Sequence, residues 1–122
     1  MIKLVRLDYR LLHGQVVFSW TGHVGAQRII VVDDDAANDE MKKSALLLSK
    51  PAGVRVNIFT VDKAIAKMPK VEQLDEKIMM IFGNTAALLK FCQAYPKIKE
   101  INYGAVANKP GSKAFDQSVF LT

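Results

Sequence analysis

Residues 28–51, RIIVVDDDAANDEMKKSALLLSKP, contain a strand, a helix and the punctuation between them. Arg28 to Asp33 is apolar from Ile29 to Val32 and rich in β-branched side chains, the composition of a strand covered on both faces, as in a parallel sheet. After it, Asn38 suits an N-cap, Asp39 and Glu40 place carboxylates in a first helical turn, and Pro51 forbids continuation. A helix is expected between these signals, with Met41, Ala45 and Leu48 facing inward.

The same alternation extends in both directions. Ile2 to Asp8 reads as a strand with Ile2, Leu4, Arg6 and Asp8 on one face and Lys3, Val5 and Leu7 on the other, so Arg6 and Asp8 share a side. Between Gln15 and Val24, the residues Val17, Trp20 and Val24 form a helical stripe, with Gly22 and Gly25 at its end. Downstream come a strand at Val54 to Phe59, a helix capped by Thr60 and ending at Met68 before Pro69, and a strand at Lys77 to Phe82. Asn84 or Thr85 then caps a helix with Leu88, Phe91, Cys92 and Tyr95 in one stripe, Ile98 to Tyr103 is a fifth strand, and Ser118 to Leu121 a short sixth. Gly104 to Gln117 looks irregular and leaves the direction of the last strand open. This order predicts an α/β fold of three layers, a mostly parallel β-sheet flanked by helices on both faces, in a single domain over residues 1–122.

Composition agrees with that reading. A chain of 122 residues, 50% hydrophobic and 24% charged, buries a core of its own and is neither disordered nor a disulfide scaffold. The longest stretch without Lys, Arg, Asp or Glu, Leu11 to Gln27, carries two histidines, two glutamines, Ser19 and Thr21, which excludes a membrane span. Charges at Lys3, Arg6, Asp8 and Arg10 leave no signal-peptide apolar region, and a lone Cys92, read as core packing, agrees with a reducing compartment, so a cytosolic location is expected. The net charge of +5 suits nucleic acid, an anionic membrane or a phosphate group, while most lysines are scattered singly, as solubility requires. A nucleic-acid- or anion-binding module is the alternative of another class; it lacks a binding motif and a dense basic run with interleaved aromatics.

Ligands of open α/β sheets bind beyond the carboxyl ends of the strands. There the loop DYRLLHGQ, residues 8–15, runs straight into a helix, placing His13 beside free backbone N–H groups and a positive helix end, with Arg10 in the loop and Arg6 at the strand end. Two guanidinium groups and a helix N-terminus favour a neutral, nucleophilic imidazole, and would hold a phosphoryl group once His13 had accepted one. No GxxxxGK[ST] sequence marks an ATP site, so the donor would be something else, such as another protein. The same residue types also suit a capping or packing histidine in a tight turn. His23 reads as structural or surface, and Trp20 as core. The triplet Asp33, Asp34, Asp35 raises the phospho-receiver domain as a rival. That pattern also needs an acceptor aspartate after the third strand and a lysine after the fifth, where this chain has Phe59-Thr60 and Tyr103-Gly104. The triplet is therefore read as loop, helix-capping and rim residues.

The stretch RLDYRLLHGQVVFSW, followed by IIVVDDDAANDEMKKSALLLSKPAGVRVNIFTVDKAI, resembles the B component of sugar phosphotransferase systems of the mannose, fructose and sorbose family, with likeness from Met1 to Thr122. The resemblance implies a cytoplasmic phosphocarrier, associated peripherally with its membrane transporter. It would accept a phosphoryl group on His13 from the phosphorylated A component and pass it to a sugar entering through the membrane C and D components. Arg10 would assist the transfer, and Arg6, Asp8, Gly14 and Gln15 match the same motif as candidate phosphoryl-binding residues. No cofactor, metal or nucleic acid is implied, and the oligomeric state stays open. Members of that family continue beyond the segment resembling SVFLT with a further helix and strand, so the resemblance implies a C-terminally shortened domain here.

Overall fold

The structure, a computed structural model, describes residues 2–9, 11, 15–96, 100–103 and 118–120. In chain order the elements are β1 (Ile2–Leu7), α1 (Gln15–Val24), β2 (Arg28–Val32), α2 (Asp34–Ala37), α3 (Glu40–Leu48), β3 (Arg55–Phe59), α4 (Val61–Val71), β4 (Ile78–Phe82), α5 (Thr85–Ala94), β5 (Glu100–Tyr103) and β6 (Ser118–Phe120). The strands form one sheet in the order β3-β2-β4-β1-β5-β6. All neighbouring pairs are parallel except β5 and β6, so the direction left open by the sequence is antiparallel.

Central strands buried on both faces supply alternate residues to two cores. Val5, Leu7, Ile30, Val32, Ile78, Met80 and Phe82 meet α4 and α5 through Val61, Ala64, Met68, Leu88 and Phe91. On the opposite face Ile29, Val31, Met79 and Ile81 meet Leu11, Ala36 and Leu46, with Trp20 and Val24 of α1 packed alongside. The three layers expected from the alternation are thus present. The predicted stripe of α5 also holds: Leu88 and Phe91 are buried, with Cys92 and Tyr95 packed against the same core. Burial pushes the Cys92 thiol up from its ordinary value.

Four local expectations are corrected. Ile2 packs on the α4–α5 side whereas Leu4 lies on the α1 side, because the pairing of β1 with β4 slips between them and a slip of one residue exchanges faces. The segment after β2 first makes the extra helix α2, which Asn38 closes, so Asp39 caps α3 instead, its carboxylate accepting from the N–H groups of Met41 at 3.0 Å and Lys42 at 3.2 Å. The inward face of α3 is Leu46, 2% exposed, while Met41 and Leu48 are 83% and 88% exposed and Ala45 is exposed too. Three successive leucines at 46–48 point 100° apart around a helix, so periodicity alone does not choose the buried one. Pro69, finally, lies inside α4. It sits in the last turn, where the missing N–H removes one bond and the helix still closes through Glu72 N–H to the Met68 carbonyl at 2.9 Å.

Candidate functional site

At the carboxyl edge of the sheet, β4 lies between β1 and β2. The chain leaves β1 and β2 toward helices on one face and leaves β4 toward α5 on the other. Neighbouring crossovers thus diverge at that point, the place in the topology where α/β sheets bind ligands.

The β1 exit is built from its last residues upward. Arg6 and Asp8 do share a face: Arg6 Nε donates to Asp8 Oδ2 at 3.3 Å, and both residues are buried, at 5% and 3% exposure. The Arg6 guanidinium lies over the Trp20 ring at 5.9 Å, so Trp20 both packs on the core and covers this charge. Asp8 N–H extends the ladder to the Phe82 carbonyl at 2.9 Å, and its own carbonyl accepts from Leu11 N–H at 3.0 Å, closing a four-residue turn. Leu11 has φ of +56°, the left-handed conformation that costs an L-residue roughly 1–2 kcal/mol, and its side chain is buried in the α1-side core. Four residues later α1 begins at Gln15.

The acidic triplet closes the neighbouring exit and each member has a structural occupation. Asp33 caps α2 through Ala36 N–H at 3.1 Å, Asp34 accepts from Val61 N–H at the start of α4 at 2.8 Å, and Asp35 pairs with Lys42. Burial raises the Asp33 carboxyl above its ordinary value, against the lowering effect of the Ala36 N–H. Between the two exits stands Gly83, at the end of β4, its N–H bonded to the Val32 carbonyl at 3.2 Å. A Cβ on Gly83 would lie 2.6 Å from Asp33 Oδ1 and 3.2 Å from Leu11 Cδ2. Asn84 next caps α5, accepting from Ala87 N–H at 2.8 Å, as expected.

Of the site residues expected from sequence, Arg6 and Asp8 are brought together at the foot of the loop. Arg10, His13 and Gly14 lie outside the described residues, and Gln15 is described only as the first residue of α1. His23 is exposed and meets Trp20 edge to face, a surface role. Leu11 and Gly83 had not been singled out. A glycine between an apolar strand and a capping asparagine was the available signal for Gly83; Leu11 is a letter of the motif R-L-D-x-R-L-x-H-G-Q-V, though no local pattern marks its left-handed backbone. Among the described residues no group of three or more His, Cys, Asp or Glu is placed to hold a metal, and no helix is long and apolar enough to cross a membrane.

Known proteins agree with this arrangement. Residues 2–122 match the family described as PTS system sorbose subfamily IIB component. The sorbose-specific EIIB component of Klebsiella pneumoniae is 36% identical over 98% of this chain and 73% of that protein. The mannose-specific EIIAB component of Escherichia coli K12 is 33% identical over 98% of this chain and 37% of its own, longer chain. Among solved structures, the IIBSor domain of the Klebsiella pneumoniae sorbose permease superposes with a TM-score of 0.81 at 36% identity, over 91% of this chain and 68% of that one. The manxB structure from Thermoanaerobacter tengcongensis gives 0.83 at 33% identity, over 100% and 74%. With the family match, the relatives and the fold in agreement, this chain belongs to the sorbose subfamily of IIB components, the phosphocarrier domains of sugar phosphotransferase systems.

Proposed function

We propose that His13 is the residue that carries the phosphoryl group, with Arg10 assisting its transfer. What carries this reading is the place of the loop: DYRLLHGQ follows β1, where the crossovers diverge, and His13 precedes the first residue of α1, Gln15, by two positions in the chain. In the first step a lone pair of the His13 imidazole attacks the phosphorus of a phosphohistidine on the A component. The new P–N bond forms as the donor's P–N bond breaks, the bonding pair stays on the donor ring, and the proton lost by His13 balances the one the donor ring takes up. In the second step a sugar hydroxyl oxygen attacks the phosphorus, the P–N pair returns to the His13 ring, and the proton lost by the hydroxyl balances the one that ring takes up. Phosphoryl transfer asks a protein mainly for positioning and charge stabilisation, which Arg10 and the helix N-terminus would supply.

Arg6 and Asp8 serve at the base of the loop, and Gly14 and Gln15 at its junction with α1, as the proposed phosphoryl-binding set. The partners are the phosphorylated A component, a reading supported by the relative named EIIAB, and the membrane C and D components at the cytoplasmic face, with a sugar as final acceptor.

The test incubates the purified chain with phosphoenolpyruvate, the general phosphotransferase proteins and a matching A component. An acid-labile phosphoryl group on His13, absent from a folded His13→Ala variant, is the expected result; a variant that is still labelled overturns the assignment. Arg10→Lys should slow the transfer, because the charge stays and the fork is lost.

A further inference from the structure

Three groups at the carboxyl edge meet at one point that the phosphocarrier reading leaves without a role. Leu11 follows Arg10 directly and precedes His13 by two residues. Its backbone is held in the left-handed region by the bond from its N–H to the Asp8 carbonyl at 3.0 Å, and its side chain, 7% exposed, enters the core beneath α1. The surface it rests on is Gly83, where even one added carbon would stand 3.2 Å from Leu11 Cδ2, tighter than ordinary packing. On the other side of Gly83 the Asp33 carboxylate is closer still, fixed by its cap on α2 and by the contact from Asn84 Nδ2 at 3.5 Å. Leu11 and the Asp33 carboxylate thus both lie close to Gly83, which has no side chain to separate them from the strand end.

A leucine is a poor choice for left-handed backbone if turning the chain is the only requirement; glycine or asparagine turns it without strain. Retaining a buried leucine there fits a requirement for an anchor. We propose that Leu11 is a positioning residue for phosphoryl transfer: buried beside Gly83, it anchors the start of the loop whose sequence carries Arg10 and His13. This inference rests on the assignment of His13 and Arg10 above. Transfer falls steeply when reacting groups are misplaced by about 1 Å, so an anchor one bond from Arg10 acts on rate more than on docking.

The experiment measures the rate of phosphoryl transfer from the phosphorylated A component against its concentration, for wild type and for Leu11→Ala, Leu11→Met and Leu11→Gly, at a temperature where circular dichroism shows each variant folded. Leu11→Ala is expected to lower the maximal rate by about tenfold or more while the half-saturating concentration stays within about twofold. Leu11→Met, which refills the seat, should return the rate to within about threefold. Should Leu11→Ala fail to fold, Leu11→Gly, which relieves the left-handed backbone while removing the anchor, takes its place by the same criteria. Unchanged maximal rates in the folded variants, or a loss that methionine does not restore, overturn the proposal. Absence of label on His13 in the wild-type chain is a different failure, since it removes the assignment on which the anchor depends.

Discussion

Arg6 Nε stands 3.3 Å from Asp8 Oδ2, and the side chains of both residues are more than nine-tenths buried at the foot of the loop that carries His13. Arg6 in β1 and Asp8 just beyond its end thus form a buried ion pair on the α1 face of the sheet, with Trp20 over the guanidinium. Removing either member takes a compensating charge away from a buried ion, which is heavily penalised.

Removing one partner should therefore be worse than removing both. Asp8→Ala is expected to destabilise the chain by about 3–5 kcal/mol, and the double replacement of Arg6 by Met and Asp8 by Leu by clearly less. Urea denaturation of the three chains measures this; an unchanged midpoint for Asp8→Ala would show that the pair does not matter to the fold.

The face assigned to α3 makes a second prediction. Leu46→Ala should cost about 2–4 kcal/mol, as a fully buried leucine does, whereas Leu48→Ala, at a site 88% exposed, should stay within about 0.5 kcal/mol of wild type. Equal losses from the two would mean that α3 is rotated from the position described.

Asp33 gives a dependence on pH. Its carboxyl is raised by burial, so the folded chain binds that proton more tightly than the unfolded one, and the contribution of this group to stability falls as pH rises through the carboxylate range. Asp33→Asn keeps the cap on α2 without the buried charge. It should raise the denaturation midpoint at neutral pH, with the advantage shrinking toward pH about 3, where Asp33 is protonated in both states. Asp33→Ala should instead lose about 1 kcal/mol with the cap. A disadvantage of Asp33→Asn at neutral pH would show that the carboxylate charge itself is needed at this edge.

Tyr95 reports on the other layer. Burial, aided by the hydrogen bond from its hydroxyl to Glu72 Oε1, pushes its pKa up to about 12. The phenol should ionise only under strongly alkaline conditions in an absorbance titration. Its contribution is fully present below the ordinary tyrosine value of about 10 and is lost as pH rises through about 12. Tyr95→Phe should remove that late step and flatten the alkaline decline in stability; an unchanged titration curve would assign the step to another residue.

Much of this was legible in the chain because it is local. The apolar runs at 29–32 and 78–82, the Thr60 and Asn84 caps, the α5 stripe and the shared side of Arg6 and Asp8 all follow from periods of 2 or 3.6 residues and from capping chemistry. The motif R-L-D-x-R-L-x-H-G-Q-V likewise names its family without coordinates. Where local signals were degenerate they misled. Asn38 and Asp39 are equally good caps until α2 takes the first, and the leucine run 46–48 offers three possible inward faces.

What the sequence determined by itself was the kind of protein: alternating strands and helices, and one loop motif that marks the IIB family. What only the tertiary structure decided was which distant residues share that edge. Placing β4 between β1 and β2 is a choice of strand order that no local pattern encodes, and it brings Gly83 between Leu11 and Asp33. Sequence patterns record the period of each element, whereas contacts between elements depend on how their buried faces fit together in one packed core.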